Sequence, residues 1–198
     1  MAKAPGCGDA PAVLTTRAIL MRLTRLTDTS LIVHWFTQNH GLVKSVVKGA
    51  RRPSSPFAGK LDLFFGGEIS LLRARRGELH ILREVAIDEW REGLRRHYSS
   101  TLLAAYFGQL LELALQPEHP EPDIYDLLRR ALNHVTDSGA SLRALRHFEA
   151  ELARLLGVTD HQRSGEACLQ DALGPLPTSR LALQEQLSTG DSLNSPSA

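Results

Sequence analysis

A dense group of cations lies beside small residues in the first half of the chain. Lys44 and Lys48 are followed by Arg51 and Arg52, and Lys60 comes eight residues later. Cationic side chains in a glycine-containing loop can follow the irregular charge of a phosphate backbone, and glycine permits close approach of the main chain. A solvated surface loop without a ligand has the same composition. The chemistry open to these residues is the binding of a polyanion.

A second basic group precedes Gly77, and it is predicted to form a turn between two strands. The eight candidate phosphate contacts are Lys44, Lys48, Arg51, Arg52, Lys60, Arg73, Arg75 and Arg76. Each neutralised phosphate releases counterions, so binding is predicted to weaken steeply with salt and to depend little on base sequence. Trp35, Phe36 and Phe57 could stack on bases or fill a core, and both alternatives remain open.

The distribution of charge separates the two halves of the chain. The whole chain carries 23 Lys and Arg against 22 Asp and Glu. Residues 1–90 hold 13 basic and 8 acidic side chains, a balance of +5, whereas residues 91–198 hold 10 and 14, a balance of −4. The positive field, and with it any nucleic-acid surface, is therefore predicted in the first half.

Two types of periodicity position these residues. Alternation typical of strands predicts five of them, at 15–23, 30–37, 41–47, 61–72 and 78–87. Short connections without crossover helices indicate a small antiparallel barrel. After about residue 88 the apolar period changes to that of a helix. The predicted class is α+β, with a barrel at 13–88, a helical domain at 89–180, a disordered leader at 1–12 and a flexible tail at 181–198.

Three helices are predicted in the second half. The first has an apolar stripe that includes Leu94, Tyr98, Leu102, Tyr106, Leu110 and Leu113. Asp123 is predicted to cap the second helix and Ser141 the third. These stripes predict a packed core, with no partner required.

Several stretches of the chain resemble the amino-terminal domain of the bacterial recombination and repair protein RecO family. They are residues 28–37, 40–42, 48–52 and 57–59, and residues 148–157 resemble its helical region. The resemblance implies an OB-fold of five strands followed by a helical domain. It also implies binding of single- and double-stranded DNA, annealing of complementary strands, contact with the tail of single-strand-binding protein, and cooperation with RecR in loading RecA.

Catalysis, cofactors and metals find little support in the residues. No P-loop is present, the acidic side chains are scattered, and Ser54 and Ser55 have no identifiable His and acid partners. Some RecO relatives carry a cysteine cluster after the helical region, but residues 158–176 offer only His161 and Cys168, which cannot complete a tetrahedral zinc site. We expect no enzyme activity, cofactor or metal.

The cellular setting is predicted from what the sequence lacks. Two cysteines exclude a disulfide framework, and no apolar run is long enough to cross a bilayer. A cytoplasmic, nucleoid-associated protein without membrane contact is expected.

Two further classes of function remain as alternatives. The basic barrel could be a non-enzymatic interaction module for an acidic protein partner, and such a module would ignore oligonucleotides near physiological salt. A nuclease or phosphotransferase would require magnesium-dependent turnover.

Overall fold

The part of the chain that the structure describes forms a five-stranded barrel followed by five helices. The structure is a computed structural model that describes residues 12–193, with side chains as far as residue 188. The strands are β1 (Val13–Arg25), β2 (Leu31–Thr37), β3 (Gly41–Val47), β4 (Gly66–Leu72) and β5 (Leu79–Glu89). The predicted leader, apart from residue 12, lies outside the described residues.

The barrel closes in the order β1-β2-β3-β5-β4, which is an OB-fold architecture and confirms the predicted class. Neighbouring strands are antiparallel except β3 and β5, which pair in parallel over three residues and complete the closure. The fourth strand begins at Gly66 and not at Leu61 as predicted. Residues 61–65 form a turn instead, where Phe64 has φ 65° and its N–H donates to the carbonyl of Leu20 at 2.8 Å.

The second half contains a short 3-10 turn (Glu92–Arg95) and five α-helices. They are α1 (Tyr98–Ala114), α2 (Pro122–Ser138), α3 (Leu142–Leu155), α4 (Gly165–Leu173) and α5 (Ser179–Leu193). The cap of α3 is confirmed, since the Ser141 side chain accepts a hydrogen bond from the Ala144 N–H. The predicted cap of α2 is wrong, because Pro122 is already the first helical residue and Glu121 precedes it.

The predicted stripe of α1 is correct only in part. Tyr98 is 69% exposed and Leu113 43% exposed, whereas Leu103, Phe107 and Leu111 are buried. The helix is apolar over most of its circumference, so its sequence does not specify one face. Contacts with α2, α3, α5 and the barrel decide which residues it buries.

Two hydrophobic cores hold the molecule together. One fills the barrel and includes Trp35, whose Nε1 donates to Ser45 Oγ at 2.8 Å. The other lies among the helices and extends to the outside of the barrel through Ile19 and Phe36. Adjacent residues of β2 point to opposite faces, so Trp35 enters one core and Phe36 the other. The barrel wall therefore packs directly against the helical domain.

The last helix differs from the predicted tail. Residues 181–193 belong to α5, and Leu183 and Leu187 are buried in the helical core. Arg180 is 5% exposed and contacts both carboxylate oxygens of Glu149, at 2.6 and 3.0 Å. The predicted boundary at residue 181 thus falls inside a helix that is fixed by apolar and ionic contacts.

Candidate nucleic-acid interface

The first basic loop joins β3 to β4 and is held by its main chain. The Arg51 N–H donates to the Thr29 carbonyl at 3.1 Å, and Arg51 Nη1 lies 3.3 Å from the Asp28 carbonyl oxygen. The Arg52 N–H donates to the Gly49 carbonyl at 3.0 Å. The backbone at position 49 has φ 67°, a conformation that favours glycine. These bonds fasten the loop to the β1–β2 turn. Its exposed cationic side chains are Lys48, Arg51, Arg52 and Lys60.

The second basic loop joins β4 to β5 and is held by side chains. His80 is 2% exposed, and its Nδ1 accepts a hydrogen bond of 3.2 Å from the Ala74 N–H. Its Nε2 lies 3.5 Å from Oε1 of Glu118, and Arg73 Nη2 lies 3.7 Å from Oε2 of the same carboxylate. Arg75 and Arg76 are exposed beyond this contact. His80 and Glu118 thus connect the loop to the helical domain, and the Arg73 N–H also donates to the Ala12 carbonyl at 2.9 Å.

Glu118 comes from the helical domain, in the loop between α1 and α2. Its N–H donates to the Leu42 carbonyl of β3 at 2.9 Å, and Pro117 forms a β-bridge with Leu42. A Cβ at Gly41 would lie 2.0 Å from the His119 carbonyl oxygen, so this close approach requires glycine. The helical domain therefore positions part of the barrel's basic surface.

The pKa of His80 follows from this burial. Desolvation is the largest cause and lowers the pKa of His80. The carboxylate of Glu118 raises this pKa, and the nearby Arg73 and His40 lower it. The net direction is downward, so His80 is neutral near pH 7. A neutral ring can accept from Ala74 at Nδ1 and present an N–H at Nε2 to Glu118.

Lys44 lies on the outer face of β3, beside the start of β5. Its Nζ is 3.6 Å from Glu78 Oε2, and it faces His34 across the β2–β3 pair. Arg22 Nη2 is 2.8 Å from Glu112 Oε1 of α1, which partly neutralises this face. Lys48 directly follows the end of β3, four residues beyond Lys44, or roughly 13 Å at about 3.3 Å per residue. The strand therefore connects the two basic loops.

Two of the three candidate stacking residues are inaccessible. Trp35 and Phe36 are fully buried, and the Phe36 ring packs edge-on against Tyr125 at 5.6 Å. Neither can contact a base without unfolding. Phe57 is half-buried, with part of its ring against the barrel core.

The helical domain contains a groove that sequence reasoning located only in part. The rings of Phe107 and Phe148 stack at 4.0 Å and lie, almost fully buried, beneath a depression of about 540 Å³ between α2 and α3. Its polar rim consists of Arg130, His134, Arg143 and His147. Both helices present a cation and a histidine at a spacing of four, which is the signal that could have located the groove. Two other arginines of this domain are occupied elsewhere, since Arg129 pairs with Asp126 and Arg95 with Asp62.

An exposed aromatic residue was also missed. Trp90 is 43% exposed and packs edge-on against Phe65 at 5.1 Å. It follows β5 directly, at the junction with the helical domain. Because Trp35 is buried, Trp90 is the tryptophan whose fluorescence would report events at the surface.

The described part of the chain offers neither a metal-binding cluster nor a membrane span. Between residues 12 and 193 no group of three or more His, Cys, Asp or Glu side chains is placed to hold a metal ion. Cys168 is instead buried in the helical core, where its Sγ accepts from the Asp160 N–H at 3.4 Å. No helix among these residues has the length and apolar character needed to span a bilayer.

The fold and these loops define a class of protein in which a small OB-type barrel with basic connections precedes a helical domain. Two family models match in the same order: Recombination protein O N terminal over residues 12–89, and Recombination protein O C terminal over residues 95–189. The chain belongs to the RecO family of DNA repair proteins.

Individual relatives agree with this assignment. The chain is similar to the DNA repair protein RecO of Methylococcus capsulatus, with 31% identity over 88% of this chain and 75% of that protein. It is 29% identical to the RecO of Rhodopirellula baltica, over 78% of this chain and 57% of the relative. With the RecO of Syntrophus aciditrophicus it is 29% identical over 72% of this chain and 55% of the relative. The chain thus spans little more than half the length of some relatives.

Proposed function

We propose that this protein is a DNA-binding recombination mediator whose barrel contacts the phosphates of single- and double-stranded DNA. The observation that carries the proposal is the first basic loop. Lys48, Arg52 and Lys60 are exposed and make no ion pair among residues 12–193, so their charge is available to a ligand. Membership of a DNA repair family supports DNA as the polyanion.

The same surface suits strand annealing. Two complementary strands repel each other through their phosphates, and a cationic surface that holds both reduces this repulsion. Such a role requires neither ATP nor a metal, and we propose that the protein acts without catalysis. Its expected location is the nucleoid of the cytoplasm, where that substrate lies.

The test is the fluorescence anisotropy of a labelled mixed-sequence oligonucleotide, single-stranded and then duplex, at several salt concentrations. Binding should weaken with salt, and Arg51→Ala/Arg52→Ala should weaken it for every sequence alike. The matched control, Arg146→Ala/Arg154→Ala, removes two exposed arginines from α3 and should bind as the unaltered protein does. Absence of binding at low salt would overturn the proposal and favour an acidic protein partner of the barrel.

We propose further that the groove between α2 and α3 binds the acidic tail of single-strand-binding protein. The partly exposed Ala131 and Ala144 provide an apolar floor that suits a hydrophobic side chain, and Arg130 and Arg143 at the rim suit neighbouring carboxylates. With RecR, the protein would then help load RecA onto DNA coated by single-strand-binding protein. The RecR and RecA roles rest on family membership alone.

The groove proposal is tested with a labelled peptide that has consecutive acidic residues and ends in a large apolar residue. Arg143→Ala should weaken peptide binding, whereas Arg146→Ala, on the same helix but outside the groove, should not. Equal losses in the two variants would indicate nonspecific attraction. Neither variant should change the affinity of the barrel for DNA.

A further inference from the structure

A second depression lies beside the first basic loop, on the outside of β4 and β5. Its volume is about 300 Å³, and Pro56 and Phe57 of the loop form part of its wall. Lys60 and Arg83 supply two cations, Glu68 and Glu84 supply two carboxylates, and Ser70 supplies a hydroxyl. The pocket thus combines a ring surface with charges of both signs.

The four charged side chains are uncompensated. None of them makes an ion pair among residues 12–193. Arg17 is the register partner of Glu68 on β1, but its guanidinium turns to Asp88 and Glu89 instead. Charged groups of opposite sign that line one pocket without pairing are available to a ligand that offers both hydrogen-bond donors and negative charge.

We propose that this pocket binds one unpaired nucleotide of a single strand, an inference that rests on the proposed DNA binding. The base would lie against the half-buried ring of Phe57, because stacking suits any base. Its amino group would donate to Glu68 or Glu84, as cytosine N4 donates to carboxylates in direct readout. The phosphate would contact Lys60 or Arg83. A paired base cannot enter, since both faces of its ring are stacked on neighbouring bases within the duplex and cannot lie against Phe57.

This arrangement introduces a base preference that phosphate contacts alone do not provide. Cytosine, adenine and guanine carry an exocyclic amino group, whereas thymine does not. A carboxylate pair should therefore favour cytosine over thymine, two pyrimidines of similar size. The preference should be confined to single strands.

The experiment compares the affinities of short oligo(dC) and oligo(dT) single strands and of a mixed-sequence duplex at one salt concentration. The unaltered protein should bind oligo(dC) about threefold to tenfold more tightly than oligo(dT), as expected for the net contribution of one typical hydrogen bond. In Glu68→Gln/Glu84→Gln the ratio should fall towards one. The ratio is the readout, because loss of two negative charges raises the affinity for every DNA.

The matched control is Glu92→Gln/Asp137→Asn, which removes the same charge from exposed positions outside the pocket and should keep the ratio. Phe57→Leu keeps an apolar contact with the barrel core, and it should reduce single-strand affinity while leaving duplex affinity unchanged. An abasic site in the oligonucleotide should weaken binding by the unaltered protein, because the stacked base is missing. It should not weaken binding by Phe57→Leu any further.

The outcomes separate the pocket from the proposed function. Equal affinity of the unaltered protein for oligo(dC) and oligo(dT), or a ratio that survives Glu68→Gln/Glu84→Gln, would overturn the nucleotide pocket while DNA binding stands. No binding of any DNA, duplex included, would overturn both proposals.

Discussion

Arginine has opposite roles in the two halves of this molecule. In the barrel loops, Arg51 and Arg52 are exposed, and main-chain hydrogen bonds hold the backbone that carries them. In the helical domain, Arg180 is buried and enclosed by Glu149, Glu166 and the nearby Tyr106 hydroxyl. The first arrangement leaves charge available for a ligand, whereas the second uses it to fasten a helix. Position, and not residue type, decides which role an arginine has.

The buried cluster also changes the chemistry of its members. Tyr106 donates to Glu149 Oε1 at 2.6 Å, and burial raises the pKa of this phenol, with Glu149 adding to the effect. Each member is satisfied by another, which is the condition under which charge is tolerated in a core. Removing one member leaves a charge without a partner.

The largest expected effect is therefore in the helical domain. Arg180→Ala should lower the free energy of unfolding by about 3–5 kcal/mol, because Glu149 would be left buried and uncompensated. Urea denaturation followed by circular dichroism measures this loss. Arg154→Ala, at an exposed position of α3, should change stability by no more than about 0.5 kcal/mol. Similar losses for both variants would contradict the contrast between the two environments.

In the barrel loop the same kind of substitution should affect binding and spare stability. Arg51→Ala/Arg52→Ala should reduce the slope of log affinity against log salt by about two, one for each phosphate that is no longer neutralised. Its urea midpoint should remain close to that of the unaltered protein. A variant that unfolds more easily and keeps its salt slope would assign these arginines a structural role.

The two basic loops should differ in their response to acid. His80, under the second loop, has a lowered pKa in the folded protein because it is buried. Below the unfolded value of about 6.5 the unfolded chain binds a proton that the folded protein resists, so stability falls as pH decreases from about 7.5 to about 5.0. His34 acts in the same direction. His80→Gln should therefore lose less stability than the unaltered protein over this range, as thermal melts at both pH values would reveal.

An equal loss in the variant and the unaltered protein would mean that His80 does not contribute to the acid response. The first loop offers an internal control. Main-chain N–H and carbonyl groups and the Arg51 guanidinium, which donates to the Asp28 carbonyl, make the contacts that anchor this loop. None of these groups titrates in this range.

The smallest expected effect concerns Glu118, the residue through which the helical domain contacts the second loop. Glu118→Gln keeps a hydrogen-bonding group near His80 but removes the charge that competes with phosphate for Arg73. DNA affinity at low salt should rise about twofold to fivefold, as expected for an exposed ion pair of about 0.2–1 kcal/mol. Anisotropy titrations measure this change. A decrease in affinity would mean that the carboxylate is needed to position the loop.

Local patterns were sufficient for much of the fold. The composition of β2 and β3 predicted their bounds closely, because runs rich in β-branched and aromatic residues that are bounded by turn residues favour strands. Ser141 was identified as a cap because a serine before an apolar helix has few other local uses. The eight candidate phosphate contacts remain predictions, although all but Lys44 are well exposed in the structure.

Other features could not be read from neighbouring residues. The contact of Glu118 with Arg73 joins positions 45 apart in the chain, and the groove between α2 and α3 requires knowledge of how two helices pack. The α5 helix was mistaken for a tail because its sequence is largely polar. Its two buried leucines stabilise the helix only where they pack against α1 and α3.

The barrel, the helical domain, the family and the position of the basic segments could all be inferred from the order of the residues, because strand alternation, helical periodicity and motifs are local properties of a chain. Which cations stay exposed, which are buried in pairs, and where pockets open became apparent only in the folded molecule. Those properties depend on burial and on charge partners brought together from distant segments, and the free energy of a charged group is determined by those surroundings.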